Sequence, residues 1–273
     1  MRALFLFFIL LLSGLFQSQS KQFLYEYRFI PDSTEKKQSI TEIMVLDIDK
    51  KRSLFFGQER YRSDSTLVSN AQKGIISMPT EGGSMIEDKV IKYPNSSQIE
   101  YVKVISYGKY IISQEVKLPW KLSSEFKTIL NHKVQKATVS YGGRQWTAWF
   151  AKDIPFQDGP YKFYGLPGLI LELEDHGKNH QYMLKGIKDT KEEFIYPTVN
   201  NYKISKISYP QFIKLYKNYR TNPVADLIGK IPDYQDTEGN TVSGQQKVRE
   251  IEKDRLDEIK KDNNIIEIDL LKK

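Results

Sequence analysis

Between Gln22 and Ile187 the chain passes through about ten short stretches in which apolar side chains recur at every second position, with no helical period between them. Period two is the signature of a strand with one face buried. The intervening turns are mostly too short for a crossover, so consecutive strands must pair antiparallel. Phe23, Tyr25 and Tyr27 share one parity, Ile43, Val45 and Leu46 follow, and Leu54, Phe55 and Phe56 close a third run. Residues 86–93, 100–106 and 110–117, rich in Val, Ile and Tyr, supply three more. Residues 136–141 and 145–150 flank Gly142-Gly143, a hairpin signal that needs positive backbone angles. Leu169, Leu171 and Leu173 alternate with Ile170, Glu172 and Glu174, and the turn at residues 176–179 leads into a strand over 181–187. Residues 58–83, polar and Ser-rich, read as a loop.

Helix enters late. Ser208 before Tyr209-Pro210 is a cap followed by proline in the first turn, and Phe212, Leu215, Tyr216 and Tyr219 recur at helical spacing. After a loop over 221–244, residues 245–261 form a charged helix with a thin stripe of Val248, Ile251, Leu256 and Ile259. Residues 265–270 read as a closing strand. The expected fold is mainly β (α+β): a curved antiparallel sheet, or an open or half barrel, with two helices in the C-terminal third.

Arg2, an apolar run over residues 3–12 and a small polar stretch to Ser20 have the layout of a secretory signal peptide. That run is about half of the ~20 residues a membrane-spanning helix needs. The expectation is a leader over 1–20 cut near Ser20, one β-rich domain over 21–273 with no transmembrane segment, and a periplasmic or secreted location. The chain has no cysteine, so neither a disulfide framework nor a thiolate metal site is open to it.

The 41 Lys+Arg against 34 Asp+Glu give a net charge of +7, but the two signs alternate along the chain with no basic block, which argues against nucleic acid as a partner. Glu174, Asp175, His176 and His180 crowd one segment, yet Asp, His, Gly and Asn are also what a tight turn favours. His132 is the only other histidine, so no metal and no cofactor is expected. No Gly-x-Ser-x-Gly element presents a nucleophile. Gly165 and Gly168 are followed by a strand and by no Lys-Ser/Thr pair, which is not a phosphate loop. Gly165, Pro167 and Gly168 instead read as a structural turn of type II, Pro167 setting the first angle and Gly168 the positive one. No catalytic residue is assigned.

The aromatic side chains from Trp120 to Tyr164 exceed what one sheet face can bury. Trp146, Ala148 and Phe150 point one way from their strand, Thr147 and Trp149 the other, and Phe156, Tyr161, Phe163 and Tyr164 follow. Two arrangements accommodate them: a two-sided core with the 156–168 loop folded over the sheet, or that loop as a lid on a cavity, with Trp146, Trp149, Phe150, Phe163 and Tyr164 touching an apolar ligand.

Trp146-Thr147-Ala148-Trp149-Phe150, Asp153-Ile154-Pro155, Gly159-Pro160 and the hexapeptide over 165–170 occur in that order, together with Trp120, Lys136-Ala137, Gly143-Arg144 and, more loosely, the ending Asn264-Ile265-Ile266-Glu267. In these features the chain resembles the GLPGLI family of exported Bacteroidota proteins. It departs at Val134, where members often carry a cysteine shortly before the Lys-Ala pair, and at Asn264-Ile265, where Asn-Pro is usual. The resemblance implies export, one β-rich domain and the genomic company of outer-membrane import receptors, with no catalytic residues to carry over. The expected function is non-enzymatic binding at the cell envelope, of an apolar small molecule or of a partner such as a TonB-dependent import receptor. The rival reading is a periplasmic hydrolase of peptides or glycans.

Overall fold

The computed structural model describes residues 20–77, 86–190, 194–199 and 203–272. The expected leader, Ser20 apart, and the end of the expected 58–83 loop lie outside the described residues. Twelve strands form one curved, open sheet: β1 (Ser20–Phe29), β2 (Ile40–Ile48), β3 (Ser53–Gly57), β4 (Lys89–Lys92), β5 (Gln98–Ile105), β6 (Gly108–Glu115), β7 (Lys121–Ile129), β8 (His132–Tyr141), β9 (Arg144–Ala151), β10 (Leu169–Asp175), β11 (His180–Thr190) and β12 (Lys203–Ser208). In space β12, β6, β5, β4, β3, β2, β1, β11, β10, β9, β8 and β7 lie side by side, so β12 and β7 are free edges and no barrel closes. Neighbours run antiparallel except β12, which lies parallel to β6.

The parity read from the sequence sets the two faces. Phe23, Tyr25, Tyr27 and Phe29 all enter the main core on the inner face, with Tyr25 opposite Met44 and Phe23 opposite Leu46 on β2. Trp146, Ala148 and Phe150 of β9 and Tyr182 and Leu184 of β11 join them. The inner face is covered by the loop after β9, by α2 (Tyr209–Thr221) and by the C-terminal segment. The predicted cap of α2 is a reciprocal capping box between Ser208 and Gln211, and Phe212 and Tyr216 are its buried face. The charged helix α3 (Gly244–Lys261) is peripheral, burying only Gly244 and Val248, and the preceding loop carries a small hairpin of β13 (Tyr234–Gln235) and β14 (Thr241–Val242).

Three sequence expectations differ from the fold. The first is the loop assigned to 58–83, where residues 58–72 are a helix, α1 (Gln58–Gln72), packed on the outer face. Its Ser, Thr, Asn and Asp residues favour turns in isolation. Tertiary contacts hold it instead: Tyr61 joins Phe56, Phe194 and Tyr196 in an aromatic cluster, and buried Asp64 meets Arg60, Lys89 and the Tyr196 hydroxyl. The second is the closing strand at 265–270. Both sheet edges are occupied by other strands, and the segment is an irregular strap ending in a 3₁₀ turn (Ile268–Leu271). The third is that β7 and β12 have no counterpart in the sequence reading. They are the two edges, where solvent removes the apolar alternation; Leu122, Phe126 and Ile204 are about half exposed.

Candidate functional site

Residues 152–168 leave β9, cross the inner face and return as β10. Their backbone is tied to itself: Gly165 N–H donates to Gln157 O, Leu169 N–H to Ile154 O and Ile170 N–H to Asp158 O. The turn at Pro167 is tighter than type II, because Gly168 N–H donates back to Leu166 O at 2.8 Å while Leu169 N–H is used elsewhere. Gly168 has φ +147°, and a Cβ there would stand 2.1 Å from the Ala151 carbonyl oxygen. The loop therefore lies so close to the end of β9 that only glycine fits.

The five aromatic residues singled out from the sequence do not form one patch. Trp146, Phe150 and Phe163 are buried, with the Trp146 and Phe163 rings 4.7 Å apart and Tyr141 and Trp120 beside Phe163. Trp149 is on the opposite face, where register places it beside Lys136 and Glu172, and the Lys127 ammonium stands 4.4 Å over its ring. Tyr164 is half-buried, its hydroxyl donating to Val116 O and its own carbonyl accepting from Trp120 Nε1.

Beneath the loop lies polar chemistry that the sequence reading passed over. Lys162 is fully buried; its ammonium pairs with Glu267 of the C-terminal strap, donates to Gln114 Oε1 at 2.7 Å and stands 4.0 Å over the Tyr101 ring. The hydroxyls of Tyr161 and Tyr209 donate to Glu267 at 2.6 and 2.7 Å. Burial alone would raise the Glu267 carboxyl, but Lys162 and these hydroxyls outweigh it and hold the group below the ordinary carboxylate range. The visible signal was a lysine inside the aromatic run from Tyr161 to Tyr164.

A second network anchors the same strap. Arg144 donates to Asp175, to the Asn264 side chain and to the carbonyls of Ile265 and Ile266. His180 Nε2 lies 2.8 Å from Asn264 O, which can only accept, so this nitrogen carries the proton and Nδ1 accepts from the Tyr27 hydroxyl at 2.7 Å. Burial, with Arg144 nearby, holds the imidazole down to about 4 from 6.5, and Asp175 only partly offsets this. A histidine whose folded value lies below its unfolded one leaves the unfolded chain binding more protons between the two. Stability is therefore expected to fall as pH drops from about 6.5 to about 4, and His180→Gln, which keeps a donor and an acceptor, to flatten that part of a curve of thermal midpoint against pH. Parallel curves for parent and variant would refute the assignment.

Two open clefts flank the loop. The first, about 1090 Å³, lies between the sheet, α2 and the strap, and Tyr27, Phe29, Tyr101, Tyr161, Phe212 and Tyr216 give it aromatic walls. Seven carboxylates and two lysines are also among its lining residues, with Asp88 held by Tyr101 and Lys103, and Glu267 by Lys162. The second, about 1020 Å³, lies on the other flank among the β2–β3 and β4–β5 turns, residues 116–119 and the loop, and Phe156 and Tyr164 border it. Of the sequence-selected side chains, then, Tyr164 borders a cleft, and Trp146 is one residue removed from the other, its ring 6.2 Å from that of His180. No group of three or more His, Asp or Glu with the spacing of a metal site occurs among the described residues.

A family model described as a protein of unknown function, Porph_ging, matches residues 142–172. The matched stretch is β9, the crossing loop and most of β10, the part whose packing depends on Gly168. No curated protein matches. Two structures of PNGF-II, in different space groups, are similar over 74% of this chain and 34% of theirs, at 15% identity and a TM-score of 0.51. This chain thus spans about a third of the PNGF-II chain, and at that identity the likeness concerns the fold alone. Among the described residues no helix is long and apolar enough to cross a membrane.

Proposed function

We propose that the chain is an exported binding protein of the cell envelope, acting without catalysis through residues 21–273, and that the first cleft holds a small ligand by its apolar part. The observation that carries this reading is the cleft itself: its volume is at the upper end of ordinary ligand sites, and six aromatic side chains form its walls. The Gly168-dependent loop supports it by holding Tyr161 against the cleft on a rigid backbone. Trp146, Phe150 and Phe163 then act as the packed bed of the site, while Trp149 takes no part.

Titration of the purified protein with an anilinonaphthalene sulfonate dye is expected to give saturable fluorescence that decanol or a similar alkyl compound displaces. Phe29→Ala, which opens the cleft wall, is expected to weaken binding roughly tenfold while the far-ultraviolet circular dichroism is kept. Dye binding unaffected by the substitution, or not displaced by any apolar competitor, would remove the reading. Turnover of peptide or glycan substrates by the purified protein would replace it with the hydrolase.

A further inference from the structure

We propose that the second cleft is a separate binding site for a hydroxyl-bearing organic anion, such as a sugar acid or sugar phosphate. Its floor is made by Ser53 and Lys92, register partners on β3 and β4. Ser53 has the parity of Phe55 and so faces inward; the residue is 3% exposed and its hydroxyl has no hydrogen-bond partner among the described residues. A buried hydroxyl left unpaired is uncommon and unfavourable, and a ligand oxygen reaching the floor would complete it. Lys92 leaves no such vacancy, since its ammonium pairs with Asp158 and donates to Gly159 O at 2.6 Å and Tyr161 O at 3.0 Å. The floor thus offers one free hydroxyl beside a neutralised ion pair, which suits a ligand hydroxyl better than a ligand charge.

The charge belongs at the mouth. Four cations and two carboxylates line this cleft, and once Lys92 and Asp158 cancel, Lys50, Arg52 and Lys117 stand against Asp49. Arg52 is only loosely paired with Asp49, at 3.9 Å, and the exposed Lys117 is paired at 2.7 Å with Glu115, which lies outside the lining, so Lys50 and Arg52 are the less compensated cations of the mouth. The first cleft has the opposite sign, with seven carboxylates to two lysines, so one anionic ligand does not suit both. Between mouth and floor, Tyr93, Phe156 and Tyr164 offer flat ring surface to the C–H face of a sugar ring.

Calorimetric titration with glucuronate, glucose 6-phosphate and neutral glucose, at low and high salt, tests this. Both anions are expected to bind, more weakly as salt rises, with glucose at least about tenfold weaker. Ser53→Ala is expected to weaken the anions roughly 5- to 10-fold yet leave the thermal midpoint unchanged or higher, because it deletes an unpaired group. The double variant Lys50→Glu/Lys117→Glu is expected to weaken the anions and leave glucose as it was, and Phe29→Ala in the first cleft to change neither. Absence of anion binding overturns the proposal, as does glucose binding as tightly as the anions. A Ser53→Ala protein that melts below the parent, or binds as well as it, also overturns it, since the hydroxyl then serves the fold or nothing.

Discussion

Gly168→Ala is expected to lower stability by about 3–5 kcal/mol, measured by urea unfolding of the purified protein. Two effects add. Gly168 has φ +147°, a region alanine avoids, and the new Cβ would stand 2.1 Å from Ala151 O and 2.6 Å from Ala151 C, both backbone atoms that cannot rotate away. The end of β9 and the start of β10 must separate, loosening Leu169 and Ile170, which are fully buried. Gly165→Ala is the control: φ is +88° but nothing lies within 4 Å of the added carbon, so its cost is expected to stay near 1 kcal/mol. Equal costs at the two positions would show that close approach to β9 is not what position 168 requires.

Lys162→Met is expected to cost about 3–5 kcal/mol at pH 7, because it strands the Glu267 carboxylate in the core with only the Tyr161 and Tyr209 hydroxyls to stabilise it. Adding Glu267→Gln should recover much of that loss, since a neutral amide needs no counter-charge. The pH dependence carries the sign. In the parent, Glu267 is held below the 4.5 of an ordinary glutamate, so its contribution is present above that value and is lost as pH falls through the folded-state value. Without Lys162, burial dominates and raises the carboxyl, so protonation relieves the variant. The stability gap between parent and variant should therefore narrow as pH is lowered from 7 towards 5. A gap that stays constant would mean that Glu267 is not a buried charge held by Lys162.

The alternation of Phe23, Tyr25, Tyr27 and Phe29 and of Trp146, Ala148 and Phe150 was enough to predict strands, their inward faces and an antiparallel sheet, because period two has one geometric solution. In β10, by contrast, a register shift between Ile170 and Glu172 sets Ile170, read as outward, opposite inward-facing Phe150 and buries it. Ser208, Pro210 and the spacing of Phe212 and Tyr216 were likewise enough for α2, since a cap and an apolar stripe act within a few residues. Local pattern failed where stability comes from a distance. The helix α1 exists because Tyr61 and Asp64 meet residues such as Phe194 and Tyr196, far along the chain. The strap over 264–271 leaves strand geometry because Arg144 and His180 bind its carbonyls and Lys162 its carboxylate.

The candidate sites divide in the same way. The sequence by itself determined that the crossing loop is rich in aromatic rings and turns at Pro167-Gly168, for those follow from composition and local backbone preference. The close approach to Ala151 that admits only glycine at 168 came with the tertiary structure. The strand parity already set Trp149 opposite Trp146 and Phe150; only the tertiary structure decided that Trp146, Phe150 and Phe163 pack as core. It alone brought Lys162 to Glu267 and left open a cleft of opposite charge on each flank of the loop. Which rings stay uncovered, and which charges find partners, depends on where segments about a hundred residues apart meet, for instance Lys162 and Glu267, and no local period encodes that meeting.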